Sequence, residues 1–253
     1  MNTFQKIGER LEDLGLNGLQ ILQNPDHFCF GIDAVLLAWY ASGSVHYKTR
    51  TIDLGTGTGV IPLLLYGRTG TRHIDALEIQ PEMADMAKRS VALNDLNATI
   101  HVTCGDLRHP GSAFHSSSYD VVVCNPPYMR TDRGKLNPRD NLAIARHEIT
   151  CTLADVAGFA KTMLKDRGKL FLIQRADRLV DLATVLREHQ LEIKRLRPVY
   201  PSPGKPANLL LIEAMKKGRP HAIIETPLMV YQSDGQYSRE INAIYGTPGP
   251  QKK

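Results

Sequence analysis

The residues best suited by type and spacing to do chemistry are Asn125-Pro126-Pro127-Tyr128, directly after the apolar run Val121-Val122-Val123-Cys124. The Asn125 amide carries a carbonyl acceptor. Neither proline has a backbone N–H, so the turn presents acceptors with little competition from backbone donors. An amine donating hydrogen bonds suits it, and the ring of Tyr128 can stack on a planar group. An exocyclic amine on a heterocycle meets both conditions. Asn and Pro are also ordinary turn residues, so a rigid turn leaving a strand is the competing account of the tetrapeptide alone.

Those residues need an element that carries them to a ligand. An uninterrupted apolar run suits a strand buried on both faces, and the prolines forbid further ladder bonds, which places Asn125 just past a sheet edge. Open α/β sheets bind ligands at that edge. Upstream, the short strand Thr51-Ile52-Asp53-Leu54 runs into Gly55-Thr56-Gly57-Thr58-Gly59 and then the helix start Val60-Ile61-Pro62. Glycines let the backbone bend sharply and approach a ligand closely. The Gly-x-Gly-x-Gly spacing departs from the dinucleotide fingerprint, which disfavours a nicotinamide dehydrogenase. Asp53 would repel a pyrophosphate and favour a positively charged ligand, such as the amino group and sulfonium of S-adenosylmethionine.

A second strand, His73 to Ile79, contains Glu78 about twenty residues beyond the last glycine, where a carboxylate can accept ribose hydroxyls. Pro81 opens a helix reaching Asn94. A third strand, Thr99 to Thr103, stops at Gly105-Asp106; Asp106 is either an acceptor for an adenine amine or a turn residue. Four successive strands thus deliver a candidate ligand group to one edge.

Composition narrows the class. The chain has 253 residues, 42% hydrophobic and 23% charged, ordinary for one large folded α/β domain rather than a disordered chain. Its 31 Lys and Arg against 26 Asp and Glu give a net charge of +5, a lean toward a polyanionic partner. Cys29, Cys104, Cys124 and Cys151 are scattered without metal-ligand spacing, so no metal and no disulfide framework is expected. No run approaches a membrane span and the first residues lack a signal-peptide pattern, so a cytoplasmic protein is expected.

In combination, Asp53-Leu54-Gly55-Thr56-Gly57-Thr58-Gly59, Glu78, Asp106 and Asn125-Pro126-Pro127-Tyr128 resemble the class I S-adenosylmethionine-dependent methyltransferases that modify exocyclic or amide nitrogens. The resemblance covers roughly residues 27 to 216. Substrates in that group range over DNA adenine, RNA adenine or guanine, and a glutamine of peptide release factors. The opening Pro25-Asp26-His27-Phe28-Cys29-Phe30-Gly31-Ile32-Asp33 and the compact size are most similar to the bacterial tRNA1(Val) adenine-N6-methyltransferases. The resemblance implies a doubly wound, Rossmann-like, mostly parallel sheet of seven strands, the last antiparallel. It implies S-adenosylmethionine held by Asp53, Gly55, Thr56, Gly57, Gly59, Glu78 and Asp106 with Asn125 bordering it. Asn125, Pro126, Pro127 and Tyr128 would be catalytic, and the substrate an adenine in the tRNA anticodon loop, position 37. A monomer is expected. A non-catalytic RNA- or cofactor-binding module is the alternative from another class; paired amine acceptors beside a sulfonium site weigh against it.

Elsewhere the chain supplies supports. Residues 4 to 24 suit a short helix followed by a strand or hairpin, and Asp33 can cap a helix through Tyr40. Within a substrate loop at 128 to 148, Arg130, Arg133, Lys135 and Arg139 suit a grip on phosphates, though a solvated loop accounts for them too. Helical spacing from Thr152 stops at Gly168, and strand 169 to 173, helix 178 to 189 and strands 191 to 196 and 208 to 214 follow. Pro198 to Pro206 is too proline-rich for regular structure, and its Lys205 can reach a phosphate. Residues 1 to 26 read as an N-terminal extension, 27 to 245 as the methyltransferase domain with 222 to 245 a short appendage, and 246 to 253 as a disordered tail.

Overall fold

The structure, a computed structural model, describes residues 3–26, 29–126 and 151–246. His27, Phe28, Pro127, Tyr128, the loop 128 to 148 with Arg130, Arg133, Lys135 and Arg139, and residues 247 to 253 lie outside the described residues.

The chain opens with an antiparallel hairpin, β1 (Arg10–Asp13) and β2 (Gln20–Gln23), so the hairpin alternative holds for residues 4 to 24 and the helix does not form. Helix α1 (Ile32–Ser42) follows. Strand β3 (Arg50–Leu54), helix α2 (Val60–Thr69), strand β4 (His73–Glu78), helix α3 (Pro81–Leu93), strand β5 (Ile100–Cys104) and strand β6 (Tyr119–Cys124) form the first half. The second half comprises α4 (Leu153–Met163), β7 (Leu164–Arg175), α5 (Leu179–Glu188), β8 (Leu191–Tyr200) and β9 (Leu209–Lys216). Two short strands, β10 (Ile223–Ile224) and β11 (Leu228–Met229), and helix α6 (Arg239–Ile244) complete it.

The sheet order is β10-β8-β9-β7-β6-β3-β4-β5, with β11 also on β8. The seven expected strands are present, and β9 runs antiparallel to both β7 and β8 while the other pairings in the sheet are parallel. After β3 the chain steps to β4 and β5 on one side, then returns to β6 on the other. The crevice between β3 and β6 is therefore the topological switch point, where ligands bind in such sheets.

The Val121-Val122-Val123-Cys124 run is buried because helices cover both faces. Val121 and Val123 join a core with α1, α2 and α6, while Val122 and Cys124 join one with α4 and α5. The N-terminal hairpin is clasped to α3. The Arg89 guanidinium donates to both Glu9 carboxylate oxygens at 2.6 Å and to Asp85 at 2.9 Å.

Several local expectations are corrected. Asp33 does not cap α1: the cap is Gly31, without a side-chain bond, and Asp33 lies in the first turn, where its charge complements the helix N-terminus. Gly168 does not end α4, which stops at Met163 and passes directly into β7. Instead Gly168 lies in a bulge where the register against β6 shifts; Arg167 there has φ 63°, and a Cβ on Gly168 would sit 2.9 Å from the Lys165 carbonyl oxygen. Pro198-Val199-Tyr200 is not irregular but continues β8, with Pro198 opposite Leu210. On its other side β8 pairs through Arg195–Leu196 and again through Val199–Tyr200, so Pro198 falls between those two pairings. Residues 222 to 245 extend the sheet and seat Leu228, Val230, Ile241 and Ile244 in the core beside α1.

Candidate active site

The register places the strand ends side by side. Leu54 is paired with Leu77 of β4 and with Cys124 of β6, so Gly55 and Asn125 leave adjacent strands at the same level, about 5 Å apart across the sheet. Gly55, Gly57 and Gly59 have φ of 68°, 58° and 90°, the left-handed region that glycine enters without strain. The Gly55 and Thr56 N–H groups both donate to the Leu77 carbonyl, at 2.8 and 3.1 Å, which curls the turn over the end of β4. At Gly59 a Cβ would lie 3.4 Å from the Ala87 Cβ of α3, an ordinary contact, so the positive φ rather than crowding favours glycine there.

Glu78 is almost fully buried. Its carboxylate accepts from the Gly57 N–H and the Gln80 N–H, both at 2.9 Å. One side chain thus fixes the tip of the glycine turn and the entry to α3, while its oxygens retain acceptor capacity for hydroxyl groups.

Asp53 is fully buried at the end of β3, and neither carboxylate oxygen has a hydrogen-bonding partner. Desolvation pushes its pKa up to about 8; the Thr56 hydroxyl approaches without forming a bond of ordinary geometry and tempers the rise, and the Glu78 charge adds to it. The Thr56 hydroxyl is likewise buried and unpartnered. A buried acid without a donor is costly, and one at a glycine turn with an unpartnered hydroxyl beside it suits a ligand that brings an ammonium group.

Asp106 follows β5 and holds Arg108 in a bidentate pair, with Nη2 at 2.6 Å and Nε at 3.0 Å. The guanidinium keeps the Asp106 pKa at about 2, so it remains an ionised acceptor. Asn125 is half-buried and Pro126 buried. Lys205 is exposed in the loop after β8, on the same sheet edge but three strands from β6, so it belongs to the rim rather than the crevice. The structure therefore brings Asp53, Gly55, Thr56, Gly57, Gly59, Glu78, Asn125 and Pro126 together, with Asp106 one strand further out.

Sequence reasoning missed Gln23. This fully buried side chain donates to the Thr58 hydroxyl at 2.6 Å and accepts from the Phe30 N–H at 3.3 Å, tying the hairpin to the glycine turn. Its signal, a polar residue ending the strand Gln-Ile-Leu-Gln, is too common to be read. Arg108 was missed as well, although Asp-x-Arg spacing permits the pair. Among the described residues no group of His, Cys, Asp and Glu is arranged to hold a metal, and no helix is long and apolar enough to cross a membrane.

A doubly wound sheet in this order, with a glycine turn after β3, a buried acid ending β4 and Asn125-Pro126 at its switch point, is the architecture of a class I methyltransferase. Residues 34–192 match the family described as methyltransferase small domain. The chain is 32% identical over 220 residues to a tRNA1(Val) (adenine(37)-N6)-methyltransferase of Porphyromonas gingivalis, covering 83% of this chain and 84% of that one. It belongs to that methyltransferase family. Among solved structures, one described as a predicted O-methyltransferase from Agrobacterium tumefaciens superposes with a TM-score of 0.68 at 22% identity, covering 85% of this chain and 95% of that one. M. jannaschii TYW2 in complex with AdoMet superposes at 0.56 and 13% identity, covering 83% and 87%, which bears on the fold alone.

Proposed function

We propose that this protein methylates the N6 amine of an unpaired adenine in tRNA, at position 37 of the anticodon loop, using S-adenosylmethionine. The observation that carries the reading is the adjacency of two strand ends: the glycine turn with the unpartnered Asp53 after β3, and Asn125-Pro126 after β6. The name of the Porphyromonas gingivalis relative supplies the nucleic acid and the position.

The residues present fit the cofactor. Asp53, with Thr56 beside it, would receive the amino group. The Gly55–Gly59 turn lets the chain pass close to the methionine part, Glu78 would take the ribose hydroxyls, and Asp106 the adenine amine. When bound, S-adenosylmethionine supplies a methyl group activated by its sulfonium. The protein's task is then positioning, since an in-line transfer needs no strong base.

The Asn125 side-chain oxygen and the Pro126 carbonyl would accept the two N–H groups of the adenine amine. Those bonds hold the nitrogen in a more pyramidal form and strengthen as positive charge builds on it, which is stabilisation specific to the transition state. Tyr128 would stack on the base, and Arg130, Arg133, Lys135, Arg139 and Lys205 would meet phosphates. An anticodon-loop base is unpaired, so splaying it into the crevice costs little. On this reading the enzyme works in the cytoplasm, where a tRNA substrate is found, and as a monomer.

The test is incubation of the purified protein with methyl-labelled S-adenosylmethionine and, in parallel, unmodified tRNA, ribosomal RNA, DNA and release factor, with the labelled product identified by mass spectrometry. N6-methyladenosine in tRNA alone is expected. Label in guanine or glutamine overturns the substrate and leaves the chemistry.

A further inference from the structure

Three tyrosines in the C-terminal segment form a ladder that the active-site reading does not use. Tyr231 and Tyr237 face each other as an antiparallel bridge across a tight hairpin, closed by the Gln232 N–H donating to the Gln236 carbonyl at 2.8 Å, with Gly235 at φ 80°. Their rings stack at 5.2 Å between centroids and 13° between planes. Tyr245, at the end of α6, stacks on Tyr237 at 5.9 Å and 15°. The middle ring is therefore sandwiched, and Tyr231 is the outermost member.

Packing alone does not account for the exposed end of this ladder. Tyr231 is 41% exposed, and among the described residues Tyr237 is the one ring stacked on it. The hairpin sits at the ligand edge. Val230 N–H donates to the Tyr200 carbonyl at 2.8 Å and Tyr231 N–H to the Pro201 carbonyl at 2.9 Å, at the end of β8. The loop that begins at Pro201 carries the exposed Lys205. β8 lies three strand spacings from β6, and β11, which leads into the hairpin, lies one further out, about 19 Å in all, a span of a few nucleotides rather than of the target base.

From this placement we infer that Tyr231 is a stacking platform for an unpaired base of the substrate RNA, a few nucleotides from the methylated adenine, with Lys205 on the adjoining phosphate. This rests on the proposed action on RNA. A flat, pre-stacked ring loses little freedom on binding, and single-stranded RNA is recognised by stacking its splayed bases on aromatic side chains. Because every base has such a face, the platform adds grip and register without choosing a sequence.

Steady-state methylation of unmodified tRNA by the full-length protein tests it. Tyr231→Leu keeps apolar bulk and removes the flat face; the KM for tRNA should rise about tenfold with kcat unchanged. Affinity for S-adenosylhomocysteine and the melting temperature should hold. Stacking releases no counterions, so the salt dependence of RNA binding should keep its slope in Tyr231→Leu, while Lys205→Ala lowers that slope by about one. Tyr231→Trp retains a stacking face and adds a reporter to a chain with 1 tryptophan, so RNA should quench its emission at near wild-type KM. An unchanged KM in Tyr231→Leu, or unquenched emission in Tyr231→Trp at saturating RNA, overturns the platform while wild-type activity leaves the functional reading standing. A wild-type protein that methylates no RNA overturns both.

Discussion

Asp53 offers the sharpest test of how the cofactor site works. Burial without a hydrogen-bonding partner raises its pKa from 3.8 to about 8, so at pH 6 about one molecule in a hundred carries the charged form. A ligand ammonium pairs with that charged form, so binding at pH 6 must expel one proton from the protein. Apparent affinity should then rise up to tenfold per pH unit below pH 8. The charged fraction of Asp53 rises about 50-fold between pH 6 and 8, which is the ceiling on that gain; any loss of charge on the ligand's own amino group lowers it. S-adenosylhomocysteine has the same amino group and no methyl to transfer. Calorimetric titration at pH 6 in two buffers of different protonation enthalpy gives the proton count directly. The wild type should release about one proton per ligand; Asp53→Asn, of equal volume, should release none, bind more weakly at pH 8, and show no pH slope. Stability of the unliganded protein follows the same linkage. A carboxyl whose folded pKa is raised contributes fully below pH 3.8 and loses that contribution as pH climbs through about 8, a slope that Asp53→Asn removes. A proton count near zero in the wild type, or an unchanged slope in Asp53→Asn, would refute the reasoning.

Three further outcomes are expected. Asn125→Ala should lower single-turnover methyl transfer by about 100-fold or more while cofactor affinity stays within about threefold, because the acceptor amine alone loses its partner; equal losses would reassign Asn125 to the cofactor. Glu78→Gln replaces a charged acceptor that takes two backbone N–H groups, so S-adenosylhomocysteine affinity should fall about tenfold or more by calorimetry, and unchanged affinity would move the ribose elsewhere. Arg89→Ala strands the nearly buried Glu9 and releases the clasp on the hairpin, which should cost about 2 kcal/mol in urea unfolding; a change under about 0.5 kcal/mol would mean the clasp is solvated, as surface pairs are.

Much of the site was legible because its residues are local to strand ends. The glycine turn after Asp53, the acid ending β4 and the Asn-Pro-Pro turn after Val121-Val122-Val123-Cys124 each combine a strand pattern with residues that stop a strand, and chain order in a doubly wound sheet brings such ends to one edge. Errors fell where a neighbour overrides local preference. Pro198-Val199-Tyr200 contains a proline that argues against a strand, yet it pairs with β9 because its other side meets β10 and β11 in separate places. Gly168 resembles a helix stop, but the contact that requires glycine there is with the Lys165 carbonyl inside a bulge.

By itself, then, the sequence determined the strand and helix order from α1 to β9, the candidate ligand edge and the residue types delivered there, since these depend on periodicity and turn chemistry over a few residues. Tertiary structure alone decided that Asp53 is fully buried and unpartnered, that Glu78 braces the glycine turn, that Gln23 reaches that turn from 35 residues earlier in the chain, and that Tyr231, Tyr237 and Tyr245 form a ladder. Burial and cross-chain hydrogen bonds depend on which distant segments pack together, and no window of adjacent residues contains that information.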